Sequence, residues 1–389
     1  MKIVIAIDSF KGSCSAQQAC QAIASGLTRY RHDITTYQLP IADGGEGLLQ
    51  ILNESPSLKG LIKHSLTVSG PYGQQVDAEY LMLDGGTAII EMAQACGLEL
   101  TPKEKRHSAK ASSYGLGQLV KQALDQGCQH IIIGLGGSAT NDGGIGFAQA
   151  LGVQFFDRQH NLIPAPACGE DLIRVNAVDI SQLHPAISNT LFEASCDVNN
   201  PLLGDNGATR IYGPQKGATA AQLDQLEAGM VNYHQVLSQI LNHSVNQIPG
   251  SGAAGGMGAV LLWFTQAQLR PGIELVLELL DAEKLIKDAD LIITGEGKLD
   301  KQSSFGKAPV GVATLAATYN KPVIALAGSL GEGANLLYQN NIDAMWSICP
   351  RPISLEQAMQ DVEVLLADTA EALIRTLNVG MRLIPHKCR

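Results

Sequence analysis

Both ends of the chain alternate short apolar strands with helical segments, and this alternation limits the possible folds more than any other feature. At the N-terminus, residues 1–10 are predicted to form a buried strand, residues 15–31 a helix that Ser15 could cap, and residues 34–40 a second strand. Asp43 is then predicted to open a helix through about residue 53. Strands that are linked through a helix pair in parallel, and helices then cover both faces of the sheet. The N-terminal part therefore predicts the start of an α/β domain.

The C-terminal part also alternates apolar strands with helical segments. Its apolar strands are Leu291–Thr294, Val323–Ala327 and Ala344–Ile348, separated by helical segments near 307–319 and 332–340. Together with the two N-terminal strands they make a set large enough for a flavodoxin-like doubly wound sheet. We therefore assign the two ends of the chain to one domain.

The middle of the chain differs, because residues 64–92 contain short strands and turn signals that favour antiparallel pairing. We predict two unlike α/β domains. The flavodoxin-like doubly wound domain comprises 1–62 and 283–389, and a mixed-sheet α/β domain, 63–282, is inserted into it. Inserted domains commonly leave the active site in the cleft between the two, and this is where we expect the site to lie.

Composition excludes several classes of function. The 389 residues carry a formal net charge of −10 without a run of Lys or Arg, which argues against nucleic-acid binding. The eight cysteines are scattered without a CxxC pair, so zinc and redox motifs lack support. No apolar run reaches membrane-spanning length, and the N-terminus lacks the layout of a signal peptide. We expect a cytoplasmic protein that acts on small molecules; the sequence contains no signal for its oligomeric state.

Acidic residues recur where apolar strands end. Five such residues stand in Gly-rich surroundings: Asp8, Asp43, Asp197, Glu296 and Asp300. Ligands of open α/β sheets bind beyond the carboxyl ends of the strands. Each of these carboxylates could instead cap a helix or form a turn. Five together favour a shared acidic site over five separate caps.

Lysines accompany the carboxylates. Lys11 follows Asp8 in DSFKGS, Lys307 closes GEGKLDKQSSFGK, and Lys216 lies in GPQKGA. Phosphoryl transfer needs this combination, because carboxylates hold Mg²⁺ while Lys neutralises the charge that develops on phosphate oxygens. A lone Lys is usually a solvated surface residue, but Lys11 and Lys307 each lie in a Gly/Ser-rich loop beside carboxylates.

The richest glycine segment is IIIGLGGSATNDGGIGFAQALG, from Ile131 to Gly152. Backbone amides in such a strand-to-helix turn can bind phosphates. Gly134 and Gly136 also fit the dinucleotide pattern GxGxxG/A, with Asp157 about 20 residues further on. In a dinucleotide fold, however, the helix would begin within the glycine run, whereas the TNDGG turn should delay it. The segment therefore favours phosphate binding and leaves the dinucleotide interpretation as an alternative.

The sequence lacks the Walker motif GxxxxGK[ST] and the protein-kinase motifs VAIK, HRD and DFG. Its own motifs resemble those of the bacterial glycerate kinase family, in order and over nearly the whole chain. They are IAIDSFKGSCSA, PIADGGEG, IEMAQACGL, IGLGGSATNDGG, CDVNNPLLG, YGPQKGA, PGSGAAGGMG, RPGIELV and ITGEGKLDKQS..GKAPVGVA. The resemblance implies an ATP-dependent, Mg²⁺-requiring kinase that converts D-glycerate to 2-phosphoglycerate, built from two unlike α/β domains. Ile7 and Cys14 depart from the usual family residues, and neither carries chemistry.

Physical reasoning on these motif positions predicts a role for each candidate residue. The catalytic candidates are Asp197 as general base with Lys11 and Lys307 as charge-neutralising groups. The candidates for substrate or phosphate binding are Asp8, Ser9, Gly136, Gly137, Ser138, Asn141, Asn199 and Lys216. The candidates for holding the metal are Asp43, Glu296 and Asp300.

Two other functions fit parts of the pattern. One is a nicotinamide-dependent hydroxy-acid dehydrogenase built on Gly134, Gly136 and Asp157. The other is a non-enzymatic protein that binds a small anion, like a periplasmic solute-binding protein. The carboxylates at strand ends argue against the second alternative, because an anion binder gains nothing from them.

Overall fold

The computed structural model describes residues 1–45, 47–55, 58 and 60–383, without the side chain of Phe305. Glu46 of the PIADGGEG motif and residues 384–389 of the predicted first domain lie outside the described residues. The strands are β1 Lys2–Ile7, β2 Thr35–Gln38, β3 Ile62–Ser69, β4 Gln75–Leu83, β5 Thr87–Glu91, β6 His130–Gly134, β7 Gln154–Phe156, β8 Ala177–Asp179, β9 Leu191–Ser195, β10 Gln268–Arg270, β11 Leu291–Leu299, β12 Val323–Leu330 and β13 Ala344–Ser347.

Helices connect these strands. The α-helices are α1 Ala16–Tyr30, α2 Leu48–Glu54, α3 Met92–Cys96, α4 Tyr114–Asp125, α5 Ile145–Ala150, α6 Ala208–Tyr212, α7 Ala220–Ile240, α8 Ala253–Phe264, α9 Gly272–Leu279, α10 Ala282–Asp288, α11 Ala308–Thr318, α12 Leu355–Gln360 and α13 Val362–Leu383. Over the described part of the chain, none of them combines the length and the apolar character that crossing a bilayer requires.

The chain divides into two compact units. Unit 1 comprises Met1–Asp43, Gln50–Ser57 and Ile273–Arg389, and unit 2 comprises Gly44–Leu49 and Leu58–Gly272. The second boundary therefore lies about one helix before the predicted one at 282/283. Helix α9 goes with unit 1 because Ile273 packs so closely on Gly311 of α11 that a Cβ there would lie 2.5 Å from the Ile273 side chain.

Unit 1 contains a five-stranded sheet in the order β13-β12-β11-β1-β2, in which every neighbouring pair is parallel. This is the flavodoxin-like order, so the predicted doubly wound α/β class is confirmed. Strand β1 is buried on both faces, as parallel sheets require, with Ile3, Ile5 and Ile7 fully buried in one cluster. Its register aligns Ile7 with Gly295, so β1 ends beside Gly295 while β11 continues along β12 to Leu299.

Helix α1 begins as predicted. The Ser15 hydroxyl accepts from the Gln18 backbone N–H, and the Gln18 side chain accepts in return from the Ser15 backbone N–H. This capping box satisfies two helix-end donors at once. Along the helix, Gly26 packs on α13 so closely that a Cβ would lie 2.0 Å from the carbonyl oxygen of Ala367.

Unit 2 is built on a six-stranded mixed sheet in the order β10-β9-β6-β5-β4-β3. The pairs β3–β4 and β4–β5 are antiparallel, as the turn signals of 64–92 predicted, and the remaining pairs are parallel. The parallel register brings Glu91, Gly134 and Ser195 to neighbouring positions at the carboxyl ends of β5, β6 and β9. A small antiparallel pair, β7–β8, forms separately.

The helix expected at 43–53 begins five residues later, at Leu48 of α2. Gly44 and Gly47 both have positive φ, which ends any right-handed helix that would include them. The helix expected near 332–340 is a 3₁₀ helix over Ala334–Asn340. In both cases the sequence correctly predicted a helix, but local backbone geometry changed where the first begins and made the second a 3₁₀ helix.

Two helical glycines in unit 1 provide a matched test of the α1–α13 packing. Gly26→Ala places a methyl group against the Ala367 carbonyl, whereas Gly380 of α13 has nothing within 4 Å of an added Cβ. We expect Gly26→Ala to lower the free energy of unfolding by about 1–3 kcal/mol through overpacking. Gly380→Ala should raise it by up to about 1 kcal/mol through helix propensity. Chemical denaturation of both variants measures the difference, and equal stabilities would contradict the packing described.

Candidate active-site groups

The carboxyl edge of the unit 1 sheet gathers acidic side chains. Asp8 follows β1, Glu296 occupies the next position of the adjacent strand β11, and the Asp8 backbone N–H donates to the Gly295 carbonyl at 3.0 Å. Asp43 follows β2 by five residues and is close enough to repel both other carboxylates. We call Asp8, Asp43 and Glu296 the acidic edge. Three of the five predicted carboxylates thus lie near one another, although Glu296 lies within β11 and not at its end; that they share one site stays a prediction.

Gly295 is required for this arrangement. Its φ is +154°, and a Cβ would lie 1.8 Å from the Leu326 carbonyl oxygen on the neighbouring strand. Only glycine fits so close to the adjacent backbone. The tight approach of β11 to β12 thus fixes the residue that follows, Glu296, at the edge of the sheet.

Burial sets the electrostatics of the acidic edge. Burial raises the pKa of Asp8 to about 7. A hydrogen bond from the Ser9 N–H lowers this pKa, whereas repulsion from Asp43 and Glu296 raises it further. The pKa of Glu296 is likewise raised by burial. Its carboxylate accepts from the Ser303 hydroxyl at 2.7 Å and lies 3.9 Å from the Lys307 ammonium, and both interactions lower its pKa again. The structure thus brings Lys307 to Glu296.

Asp300 and Lys11 occupy more exposed positions. The Asp300 carboxylate caps the 3₁₀ helix Lys301–Phe305 by accepting from the Gln302 N–H at 2.8 Å, and it pairs with Lys298 at 2.9 Å. These contacts realise the helix-capping role that the sequence left open for Asp300. Lys11 is exposed at the tip of a loop closed by the Phe10–Cys14 bridge.

The acidic edge suits a cation that arrives with a ligand. Among the described residues, no group of three or more His, Cys, Asp or Glu side chains is arranged to hold a metal ion. Mg²⁺, however, usually takes one or two carboxylates and completes its shell with water and substrate phosphates. Repulsion between Asp8 and its two acidic neighbours is the observation that fits such an ion, because a bound cation would relieve it.

In unit 2, strand β6 leads into the segment Leu135–Gly144, which we call the glycine loop. Its inner part is buried and its amides are used within the protein: Ala139 N–H donates to the Cys96 carbonyl at 2.8 Å and Gly143 N–H to the Gly255 carbonyl at 3.0 Å. Gly136 and Gly137 are partly exposed. A ligand can therefore reach the tip, Gly136–Gly137, more readily than the inner part.

Lys216 lies beneath the glycine loop. Its side chain is 2% exposed, and its ammonium donates to the Ser138 hydroxyl and to the Thr140 carbonyl, both at 2.8 Å. Burial lowers the pKa of Lys216 to about 7, and the nearby Asp142 opposes that shift. Asp142 is fully buried; burial raises its pKa, while hydrogen bonds from the Ser113 N–H and hydroxyl stabilise its charged form.

The remaining candidates of unit 2 are dispersed. The Asn141 side chain is fully buried and donates to the Thr209 hydroxyl at 3.1 Å. Asp197 is exposed after β9, and its carboxylate accepts from the Gly272 N–H at 2.9 Å. Asn199 is exposed close by in the chain. Asn141 therefore supports the loop from within, whereas Asp197 and Asn199 are accessible to a ligand.

The glycine-rich segment that opens α8 supports the same loop. Ala254, Gly255 and Gly256 have left-handed φ/ψ angles inside this helix. A Cβ on Gly255 would lie 2.1 Å from the Thr140 carbonyl oxygen, and one on Gly256 would lie 2.8 Å from the Cα of Gly143. Close backbone packing explains these glycines.

Sequence reasoning missed Glu91 in unit 2. It is buried at the end of β5, and its carboxylate accepts from the Leu49 N–H at 3.1 Å and contacts the Gln94 amide. Its position directly after the apolar run of β5 is the same signal that identified Asp8. Glu91 holds the segment Gly44–Leu49 to unit 2.

The geometry argues against the alternative that the glycine loop binds a dinucleotide. Helix α5 begins at Ile145, well after Gly134, as the TNDGG turn predicted. Asp157 folds into a surface turn, where its carboxylate accepts from the backbone N–H groups of Gln159 and Asn161, each at 2.9 Å. Gly134 and Gly136 therefore do not begin a helix, and the Asp157 carboxylate is used by the backbone of its own turn.

An α/β fold with carboxylates, lysines and a glycine-rich loop defines a class of phosphoryl-transferring enzymes. The family model described as the glycerate kinase family matches residues 3–378. A glycerate kinase of Halalkalibacterium halodurans is 47% identical over 95% of this chain and 96% of its own, and the glycerate 2-kinase of Escherichia coli K12 is 44% identical over 98% and 99%. A crystal structure of a protein provisionally named glycerate kinase 2, from Salmonella typhimurium LT2, superposes with a TM-score of 0.86 at 43% identity, covering 98% of this chain and all of the other. The chain belongs to the glycerate kinase family, so it is a kinase, as the motifs indicated.

The raised pKa of Asp8 predicts a pH-dependent stability. A carboxyl whose pKa is higher in the folded than in the unfolded state destabilises the fold as pH rises from about 4 to 7. Asp8→Asn, which stays neutral, should therefore raise the free energy of unfolding by about 1–4 kcal/mol at pH 8 and by less at pH 5. Melting curves of ligand-free protein at the two pH values measure this gain.

Asp33→Asn is the matched control, because Arg31 lowers the pKa of this exposed carboxyl to about 2. The sign is then reversed, and the control variant should gain nothing at pH 8. If Asp8→Asn were no more stable than the wild type at pH 8, the burial described for the acidic edge would be wrong.

Proposed function

We propose that this enzyme phosphorylates D-glycerate with ATP and Mg²⁺ to form 2-phosphoglycerate by direct in-line transfer. The observation that carries the proposal is the acidic edge, where partly buried carboxylates repel one another beside the Lys307 ammonium. Such a group favours a cation and its phosphate ligands. We also propose that the enzyme acts in the cytoplasm, where ATP is available to it.

Each candidate group has a proposed task. Mg²⁺ would be held by Asp43 and Glu296 with Asp300 nearby, and when bound it would neutralise charge on the phosphate oxygens of ATP. Lys11 and Lys307 neutralise the charge of the transferring phosphoryl group or of the glycerate carboxylate. Asp8 and Ser9 lie at the end of β1, where they can position the phosphates.

The groups of unit 2 are proposed to bind anionic atoms and to move one proton. The amides at the Gly136–Gly137 tip would contact phosphate oxygens, with Ser138 and Asn141 keeping the loop in shape. Asp197 would accept the proton of the glycerate 2-hydroxyl as that oxygen attacks the γ-phosphorus, and Asn199 would position the substrate. The proton goes to the Asp197 carboxylate and ADP leaves with the bond electrons.

Transfer to the 2-hydroxyl rests on relatives, one of which is named a glycerate 2-kinase. The test is to incubate protein, D-glycerate, ATP and Mg²⁺, follow ADP release, and identify the product by phosphorus NMR. We expect ADP release that requires both glycerate and Mg²⁺, and a 2-phosphoglycerate signal. A clean 3-phosphoglycerate signal would overturn the regiochemistry. No glycerate-dependent ADP release, with a change in nicotinamide absorbance instead, would favour a dehydrogenase.

Asp197→Asn separates the possible roles of this carboxylate. Asn can still accept the hydrogen bond from Gly272 N–H, so a residue that only shapes the turn should tolerate the change. As general base it should lose about 10²–10⁴-fold in kcat, because an amide cannot take the proton. We expect that loss at every Mg²⁺ concentration, measured as kcat across a Mg²⁺ titration.

Asp179→Asn is the control for this experiment. Asp179 also ends a strand and accepts from a backbone N–H, that of Ser181 at 2.8 Å, and should keep wild-type kcat when changed. A folded Asp197→Asn enzyme with wild-type kcat would remove Asp197 from the catalytic groups. Recovery at high Mg²⁺ would reassign it to the metal site.

A further inference from the structure

The backbone at Lys216 is held in a tight turn. It ends the short 3₁₀ helix Pro214–Lys216, and the next residue, Gly217, has a φ of +91°. A Cβ on Gly217 would lie 2.5 Å from the Arg106 carbonyl oxygen, so the chain passes a neighbouring backbone at this point. The lysine side chain therefore enters the interior of unit 2 from a rigid turn.

The ammonium of Lys216 bridges two points of the glycine loop. Its bonds to Ser138 and Thr140 lie on either side of Ala139, whose N–H is held by the Cys96 carbonyl. Three successive loop residues are thus anchored, immediately after the two glycines of the tip. The Leu98 N–H also donates to the Gly137 carbonyl at 2.8 Å. Gly136 and Gly137 have no side chains with which to fix themselves, so the order of the tip depends on this contact together with the Lys216 anchor.

Direct contact between Lys216 and a ligand does not fit its surroundings. The side chain is almost fully buried, and two of its three ammonium hydrogens are directed at loop oxygens. Asp142 supplies the opposite charge within the same buried region. Buried ionic groups are best attested as devices that select one conformation, at a cost in desolvation.

We propose that Lys216 is a positioning residue that holds the Gly136–Gly137 tip in the conformation that binds the transferring phosphoryl group, without touching that group. The proposal deepens the kinase function proposed above and rests on it. It assigns the phosphate contacts to the backbone of the tip and removes Lys216 from the direct ligands. An anchored set of amides aimed at developing charge stabilises a transition state more than a ground state.

The test is Lys216→Met, which keeps an apolar stem of four heavy atoms and removes the ammonium. We expect kcat to fall about 10²-fold, as for the loss of a preorganised transition-state contact, with KM for ATP and for glycerate within about 3-fold of wild type. Ser138→Ala removes one of the two acceptors and should show a smaller fall. The double variant should be no slower than Lys216→Met, because both changes disrupt one anchor.

Ser112→Ala is the matched control. It removes another buried hydrogen bond of unit 2, from the Ser112 hydroxyl to the Ala167 carbonyl at 2.6 Å. It should lower the melting temperature while the folded enzyme keeps its kcat. If Lys216→Met kept wild-type kcat, or raised KM for ATP more than 10-fold with kcat unchanged, the positioning role would be overturned; the second result would indicate a direct ligand.

Hydrogen exchange distinguishes failure of this proposal from failure of the kinase assignment. In Lys216→Met, the amide of Ala139 should lose protection, whereas the β6 amides should keep theirs. Unchanged exchange at Ala139 would overturn the anchor even in an enzyme that proves inactive on glycerate. A wild-type protein without glycerate-dependent ADP release would refute the proposed function alone.

Discussion

The burial of Asp8 at the carboxyl end of β1 is the constraint around which unit 1 is arranged. Strand β1 is paired in parallel on both sides, so its register fixes where Asp8 leaves the sheet and where Glu296 stands beside it. The carboxylate is held there at a cost, visible as a pKa raised to about 7. That cost is on the order of 1–4 kcal/mol, a large share of the stability of an ordinary domain. This arrangement does not add to the stability of the fold, but it suits the proposed binding of a cation with phosphate ligands.

Unit 2 also contains a buried charged group, but this group is a cation. The ammonium of Lys216 is buried and its pKa is lowered to about 7, and Asp142 balances it from within the core. Lys216 contacts the glycine loop and Asp142 is part of it, and the inner residues of the loop are packed against Gly255 and Gly256 of α8. The loop is therefore a rigid element with an accessible tip. Rigid amides need no reorganisation when charge develops on a bound group, which is the property that phosphoryl transfer requires.

The sequence predicted the parts of this structure that depend on local pattern. Alternating strands and helices gave the flavodoxin-like sheet, turn signals gave the antiparallel strands of unit 2, and the TNDGG turn correctly delayed helix α5. Tertiary packing determined what could not be predicted. The depth of Lys216 depends on a turn that passes Arg106, and the Glu91 carboxylate binds the N–H of Leu49, a residue far from it in the chain. A motif indicates that a lysine has a defined role, but it does not show whether the side chain contacts a ligand or a loop of the protein.

Asp8 is held in an environment that favours its neutral form, and the proposed binding of Mg²⁺ with phosphate ligands would reverse this preference. A carbon-13 NMR titration of the Asp8 carboxyl measures this directly, with Asp8→Asn used to assign the signal. We predict a midpoint near pH 7 in the ligand-free enzyme, as the folded environment implies, and a clearly lower midpoint with Mg²⁺ and ADP bound. A midpoint close to the ordinary aspartate value of about 4 in the ligand-free enzyme would contradict it.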